Sequence, residues 1–189
     1  MRISMVAPLA LSLFLAGCAS SVAPLYTKSD AADEPGLVGA WTSDKSDALD
    51  SIRIEKSKDG YEAILRDAKG GAEATYEMHL IKLGDNSFAD LLLSNYTHGN
   101  DSVDLPMGAV ALHQIAKYKL AGDELSVAFV DGDAFDKASK KDGFTIQFRS
   151  TKNEGGDVVI ISPTEQIRAY LASHPADVFG DPDVLKRKR

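Results

Sequence analysis

Apolar and polar residues alternate with a period of two over much of the chain from Leu37 onward. Short turns rich in glycine, aspartate and lysine separate these alternating segments. Such a pattern predicts β-strands in an antiparallel meander, sandwich or barrel, because alternate side chains of a strand face opposite sides of a sheet. The predicted strands cover 37–42, 51–56, 61–66, 74–83, 88–93, 108–120, 124–131, 144–149 and 157–161.

Two segments are predicted to be helical. A short one covers 133–141. The second begins at the capping box Ser162-Pro163-Thr164-Glu165, with Pro163 at the first helical position, and ends near His174, before Pro175. The apolar stripe of this helix consists of Ile167, Tyr170 and Leu171.

The last predicted strand, 157–161, has apolar residues on both faces, so we expect the second helix to cover it. The segment 94–107 is polar and is predicted to be the longest loop of the domain.

The N-terminal stretch has a different pattern, an apolar run from Val6 to Ala16 after the single basic residue Arg2. A run of this kind is typical of a signal peptide, whose apolar core has about 7–15 residues. It is shorter than the roughly 20 residues that span a bilayer. The sequence therefore predicts a secretory signal peptide over 1–17.

Leu15-Ala16-Gly17-Cys18 resembles the lipobox of bacterial lipoproteins. The resemblance implies cleavage between Gly17 and Cys18 and attachment of diacylglyceryl and palmitate groups to Cys18. It also implies a location at the periplasmic face of the outer membrane, because Ala19 replaces the aspartate that often retains lipoproteins at the inner membrane. Cys18 is the only cysteine, so no disulfide can form within one chain.

The composition divides the rest of the chain into three parts. Residues 18–36 are rich in alanine, serine, proline and aspartate and are predicted to be a lipidated flexible tether. Residues 37–180 form the predicted domain. Residues 181–189 end in Lys186-Arg187-Lys188-Arg189 and are predicted to be a basic tail, which either touches anionic lipid headgroups or is solvated and folds back on the acidic body.

Charge argues against nucleic acid as a partner. Removing residues 1–17 leaves 20 basic and 28 acidic residues, a net charge of −8. Without the four terminal basic residues the balance is 16 against 28, or −12. An acidic body repels a phosphate backbone.

Gly39-Ala40-Trp41 in the first strand, followed by about eight strands and a C-terminal helix, is similar to the lipocalin and calycin barrels. The wider pattern, including Tyr76-Glu77-Met78-His79-Leu80 and Leu83-Gly84-Asp85, resembles bacterial lipoproteins with lipocalin-like domains. The resemblance implies an all-β, mainly antiparallel, roughly eight-stranded barrel with the C-terminal helix packed outside. Closure removes exposed sheet edges, and eight strands enclose either packed side chains or one small ligand.

A polar residue in a predicted inward row marks a candidate pocket. Gln114 lies in the row of apolar residues of strand 108–120, and a buried amide must bond to protein, water or ligand. Tyrosines also occur in the inward rows. The speculative ligand-binding set is Tyr61, Tyr76, Met78, Leu112, Gln114 and Tyr118. The alternative is a packed core with an ordinary buried hydrogen-bond network.

Other candidate chemistry is sparse. Asp90 lies within an apolar run, and a buried aspartate either marks a site or pairs with a basic group. His79 and His113 lie opposite the apolar rows, and no histidine pair has the spacing of a helical zinc motif. We therefore assign no catalytic residue, no metal and no cofactor.

Two functions remain open. One is a carrier or sensor of a small apolar molecule, with the barrel mouth as the site and segment 94–107 as a lid. The other is a structural or assembly partner of another envelope protein, in which the barrel serves only as a scaffold. Fold alone does not choose between them, and an enzyme is the least supported class because no catalytic constellation is present.

Overall fold

The computed structural model describes residues 19–30, 32–43, 49–67, 71–98, 101–102, 111–141, 148–150, 158–174 and 176–189. The predicted signal peptide and Cys18 lie outside these ranges. So do residues 103–110, which belong to the predicted loop and the following strand, and residues 144–147 and 157 of two later predicted strands.

Eight strands close into an antiparallel barrel. They follow the order β2-β3-β4-β5-β6-β8-β9-β12, and β12 pairs with both β9 and β2. Their bounds are β2 Gly39–Thr42, β3 Leu49–Lys56, β4 Tyr61–Asp67, β5 Ala72–Leu83, β6 Asn86–His98, β8 His113–Ala121, β9 Glu124–Phe129 and β12 Asp183–Arg187. The prediction of an all-β barrel with a C-terminal helix is confirmed.

Four short strands and two helices lie beside the barrel. Strand β1 runs parallel to β11 and antiparallel to β8, β10 pairs with β11, and β7 pairs with the end of β6. Their bounds are β1 Ala19–Ser21, β7 Asp101–Ser102, α1 Gly132–Lys141, β10 Phe148–Ser150, β11 Val158–Ile160 and α2 Thr164–Ser173.

Two hydrophobic cores follow from the alternation of side chains. The first fills the barrel with the inward rows, for example Ile52 and Ile54 of β3 and Ala63 and Leu65 of β4. The second lies between the outer wall of β5, β6 and β8 and the elements that cover it. Its wall residues are Ile81, Phe88 and Ile115, and its covering residues include Leu25, Phe135, Val158, Ile160, Ile167, Tyr170 and Leu171.

The apolar stripe predicted for the second helix is therefore buried against the outside of the barrel, together with strand β11. The capping box is not formed as predicted: Pro163 is the N-cap residue, and no side chain caps the helix. Thr164 instead donates its hydroxyl to the carbonyl of Pro24, 2.7 Å away. Among the described residues, no helix has both the length and the apolarity that a bilayer-spanning segment requires.

The prediction of a flexible tether over 18–36 is corrected by the structure. Ala19–Ser21 form strand β1, and the amide of Ala19 donates to the carbonyl of Val130 at 2.8 Å. Leu25 is fully buried, and Pro35–Leu37 form a 3-10 turn at one end of the barrel. Composition misled the prediction because these contacts are with residues distant in the chain, which composition does not encode.

The prediction of a separate basic tail over 181–189 is also corrected. Asp183–Arg187 form β12, the strand that closes the barrel, with Leu185 fully buried inside it. Basic residues can occupy this strand because successive side chains face opposite sides of it. Lys186 is exposed, whereas Arg187 lies over the ring of Trp41.

Arg187 of β12 contacts Trp41 of β2, the first strand of the barrel. Its guanidinium stacks on the Trp41 ring, 4.2 Å from the centroid, and donates to the carbonyls of Val38 and Gly36. Trp41 is fully buried, and its Nε1 donates to the carbonyl of Leu37 at 2.9 Å. This end of the barrel is therefore closed by a stacked and hydrogen-bonded cluster.

The predicted loop 94–107 is shorter than expected at its start. Strand β6 continues to His98, and Asp101–Ser102 pair back on it as β7. A β-bulge opposite Thr75 and Tyr76 shifts the register of β6, which obscures the alternation there in the sequence.

Leu185→Asp should destabilise the fold by about 3 kcal/mol or more, because it buries an unpaired charge in the closing strand. Val184→Asp is the matched control, since Val184 is the neighbouring residue and is 46% exposed; its effect should stay within about 0.5 kcal/mol. Urea denaturation of the two variants measures the difference. Equal effects would show that β12 does not close the barrel.

Candidate functional site

The barrel interior contains a cavity of about 30 Å³. Ligand pockets for drug-sized molecules measure about 300–1,000 Å³. The cavity wall is almost entirely apolar, from Leu37 at one end to Leu91 and Phe129, with Tyr118 the one polar side chain. The interior is therefore a packed core with room for about one or two water-sized molecules.

The predicted ligand-binding residues fall into different places. Met78 and Tyr118 line the cavity. Tyr61 and Tyr76 are buried in the barrel core but belong to its packing rather than to the cavity wall. Leu112 is half-buried and precedes β8. Burial raises the pKa of Tyr118 to about 12, so its hydroxyl is neutral at physiological pH.

Gln114 faces inward, opposite Leu91 of β6, and is 6% exposed. Its Nε2 donates to the hydroxyl of Ser20 at 2.5 Å, so the amide joins strand β1 to the barrel. Its Oε1 is buried without a hydrogen-bond partner among the described residues. A buried hydrogen-bond network, the alternative to a ligand site, therefore accounts for the Nε2 of Gln114 but not for its Oε1.

The barrel end near Tyr61 is plugged by the segment that precedes β2. The hydroxyl of Tyr61 donates to Asp33 at 2.5 Å and accepts the amide of Glu34 at 2.8 Å. Lys56 pairs with the same carboxylate of Asp33 at 2.5 Å. These bonds to Lys56 and Tyr61 lower the pKa of Asp33. These bonds fasten the segment before β2 to this end of the barrel.

The most buried charge of the described chain lies on the outside of the barrel wall. Asp90 of β6 has no exposed surface. Its Oδ1 lies 2.6 Å from Nδ1 of His113, and its Oδ2 accepts the amide of Leu25 at 2.5 Å. A carboxylate only accepts, so Nδ1 of His113 carries the donated proton. Asp90 thus holds the N-terminal segment against β6 and β8.

An aspartate that orients a histidine supplies two of the three members of a catalytic triad, so the surroundings of the pair decide its role. Tyr26 stacks on His79 at 3.8 Å between ring centroids and lies 6.4 Å from the ring of His113. His113 makes no further hydrogen bond within the described ranges, hence none to a serine or threonine hydroxyl. The pair therefore positions the N-terminal segment and has no partner nucleophile there.

Arg168 of helix α2 holds the same segment from the other side. It donates to the carbonyl of Leu25 at 3.0 Å and to both carboxylate oxygens of Asp30, at 2.7 and 3.1 Å. Burial opposes the charge of Asp30, but the bonds from Arg168 and Thr27 outweigh it and lower the pKa of Asp30. Residues 19–30 are therefore clamped between the barrel wall and α2.

Sequence reasoning identified Asp90 as a residue that needs a partner but did not identify the partners. His113 faces the same outer side, and the spacing of inward and outward rows could have paired the two. The roles of Leu25, Asp30 and Arg168 carry no local signal, because they join segments that are far apart in the chain. No group of histidine, cysteine, aspartate and glutamate that could hold a metal ion is found in the described ranges.

Comparison with protein families, curated proteins and solved structures finds no match to this chain.

Asp90→Leu should release residues 19–30 from the barrel, because it leaves the Leu25 amide and the His113 ring nitrogen without an acceptor. Loss of a hydrogen bond to a charged group costs about 1.5–3 kcal/mol. Asp90→Asn is the matched control: its oxygen can still accept from Leu25, while its amide donates to the other tautomer of His113. Hydrogen exchange at Ala19 and Leu25 should accelerate strongly in the first variant only. Unchanged protection in Asp90→Leu would contradict the clamp.

The Asp30–Arg168 pair should make stability fall in acid. Because the pKa of Asp30 in the folded chain lies below its ordinary value of 3.8, the stabilisation is present above that value and is lost as pH falls through the folded pKa. Asp30→Asn should cost about 1–2 kcal/mol at pH 7 and progressively less below pH of about 4. Denaturation midpoints against pH measure this, with Asp85→Asn in an exposed turn as control. A cost independent of pH would rule out the ion pair.

Proposed function

We propose that this protein is a lipid-anchored component of the bacterial outer membrane, facing the periplasm, with a lipocalin-like barrel that is a packed scaffold. In this function the outer wall of the barrel contacts another envelope component, and the interior carries no ligand. The observation that carries the proposal is the interior cavity of about 30 Å³, which is an order of magnitude too small for a drug-sized molecule.

The anchor part of the proposal is supported by the lipobox and by the fixed position of the residue next to it. Cys18 directly precedes Ala19, whose amide is bonded to Val130 and whose side chain is 1% exposed. If Cys18 is acylated, no flexible spacer separates the anchor from strand β1 of the folded domain. Several acyl chains anchor stably, since each buried methylene contributes about 0.8 kcal/mol.

The clamp gives this placement a physical basis. Asp90 and Arg168 hold Leu25 and Asp30 from two sides, and Gln114 binds Ser20 within β1. A segment fixed at three points cannot act as a long flexible tether. The proposed protein is therefore held close to the bilayer, with β1 and the end of β9 nearest to the anchor.

The scaffold function is favoured over the carrier function by the filled interior and the plugged barrel end. A carrier needs an opening through which its ligand enters, and the end near Tyr61 is closed by Asp33 and Glu34. The carrier stays a second candidate through Met78 and Tyr118, which line the remaining space. For that candidate the ligand would have to displace packed side chains.

One sample tests the anchor and the scaffold together: the mature protein extracted in detergent from its own host. The denatured intact mass should equal the chain from Cys18 plus acyl groups, and Cys18→Ala should give the uncleaved, unacylated precursor. Native mass spectrometry of the same sample should then show no additional small molecule.

An unmodified Cys18 on the mature chain would refute the anchor. A molecule that is present in the native spectrum and lost on denaturation would refute the empty scaffold and favour the carrier. In that case Gln114→Leu and Leu112→Trp, from the predicted ligand set, should abolish its retention.

A further inference from the structure

One outer wall of the barrel contributes no described residue to the second hydrophobic core, in which the helices and the N-terminal segment pack. It consists of β2, β3 and β4, and it contains a pocket of about 200 Å³. The pocket is lined by residues of these strands and by Lys188, which follows β12. The lining residues are Ala40, Thr42, Asp50, Ser51, Ile52, Arg53, Ile64, Arg66 and Lys188.

The pocket concentrates positive charge on an acidic protein. Arg53, Arg66 and Lys188 face it with Asp50 as the one acidic lining residue, so the lining carries a charge of +2 although the whole chain carries −7. This excess is confined to the lining, because Glu55 and Glu73 outside it pair with Arg53 and Arg66. A site of this kind attracts an anion that the remaining surface repels.

The cations differ in how far they are already neutralised. Arg66 pairs closely with Glu73 at 2.6 Å, whereas Arg53 contacts Glu55 only at 3.4 Å and between exposed side chains. The ammonium of Lys188 forms no ion pair or hydrogen bond within the described ranges. The main chain of Lys188 is held beside the pocket, because its amide donates to the carbonyl of Ala40 at 2.8 Å. Lys188 is therefore an available cation held beside the pocket.

The pocket also has an apolar part. Ile64 points outward between Arg53 and Thr75 and is only 7% exposed, and Ala40 lies on the neighbouring strand. Apolar walls with a few placed polar groups are typical of small-ligand sites. Asp50 disfavours a second negative charge in the same space, which favours a monoanion over a dianionic phosphate.

We propose that this pocket binds a single carboxylate on a short apolar stem, with Lys188 and Arg53 contacting the carboxylate and Ile64 contacting the stem. The carboxylate can belong to a free small acid or to the C-terminus of a peptide, which share this chemistry. The site lies outside the barrel interior and is independent of whether the interior takes a ligand.

The position of the pocket agrees with access from solution. Strand β3 lies four strands from β8 in either direction around the eight-stranded barrel, and β1 pairs with β8. The pocket is therefore opposite the side where Cys18 precedes β1. If Cys18 is acylated as proposed above, the pocket faces away from the membrane; binding itself does not depend on that.

Titration of the ¹⁵N-labelled mature protein, in detergent micelles if it carries acyl chains, tests the site with butyrate and its neutral amide butyramide at constant ionic strength. Butyrate should give saturable shifts in the millimolar range, confined to amides near 40, 51–53, 64–66 and 188. Butyramide should give none, because it lacks the charge. N-acetylglycylvaline and its C-terminal amide repeat the comparison for a peptide carboxylate and separate the two sources.

Lys188→Gln should weaken butyrate binding about tenfold, the factor that 1.4 kcal/mol represents. Lys119→Gln is the control, because it removes the same charge from an exposed residue of β8, across the barrel. Both side chains are exposed, so both variants should fold. Absent or non-saturating shifts, equal binding of butyramide, or equal weakening by Lys119→Gln would each overturn the carboxylate site.

Discussion

Closure of the barrel by its last strand is the constraint on which the rest of the structure depends. Without β12, the edges of β2 and β9 would both expose unpaired main-chain groups, and an open edge is a template for association. The Arg187 stack on Trp41 fixes the register of this closure. It also explains Gly39: a Cβ there would lie 2.6 Å from Nη1 of Arg187, and its φ of 140° is one that other residues rarely adopt.

The closed barrel provides a rigid wall on which the other segments are assembled. Ile81, Phe88 and Ile115 form an apolar outer patch, and both helices, β11 and the N-terminal segment bury it. Asp90 lies within this patch, and a charge there is tolerated only because His113 and the Leu25 amide satisfy both of its oxygens. The carboxylate of Asp90, whose burial would cost free energy if it were unpaired, therefore specifies where the N-terminal segment docks.

This arrangement divides the surface of the barrel into two sides. The covered side carries β1 and hence the residue that follows Cys18. The opposite side, β2 to β4, contains the pocket lined by Arg53, Arg66 and Lys188. A packed interior makes the outer wall the part of the molecule that is free to bind, and the division gives the proposed anchor and the proposed carboxylate site opposite directions.

Local pattern was enough to predict most of the barrel strands and the outer helix, because alternation and periodicity report which side of an element is buried. Alternation by itself left a meander, a sandwich or a barrel open. Inward rows such as Ile52 and Ile54 and the helix stripe of Ile167, Tyr170 and Leu171 were visible in this way. The N-terminal segment and the basic end were misread because their roles depend on partners that are distant in sequence: Val130 for Ala19, and Trp41 for Arg187.

The sequence by itself determined the period of each element and the need of Asp90 for a partner. Only the tertiary structure decided which partner it has, how full the barrel is, and which strand closes it. The physical reason is that hydrogen bonding between strands involves main-chain atoms common to all residues, whereas interior volume depends on how all the inward rows pack together. Neither the pairing of the strands nor the interior volume is encoded in any single stretch of the chain.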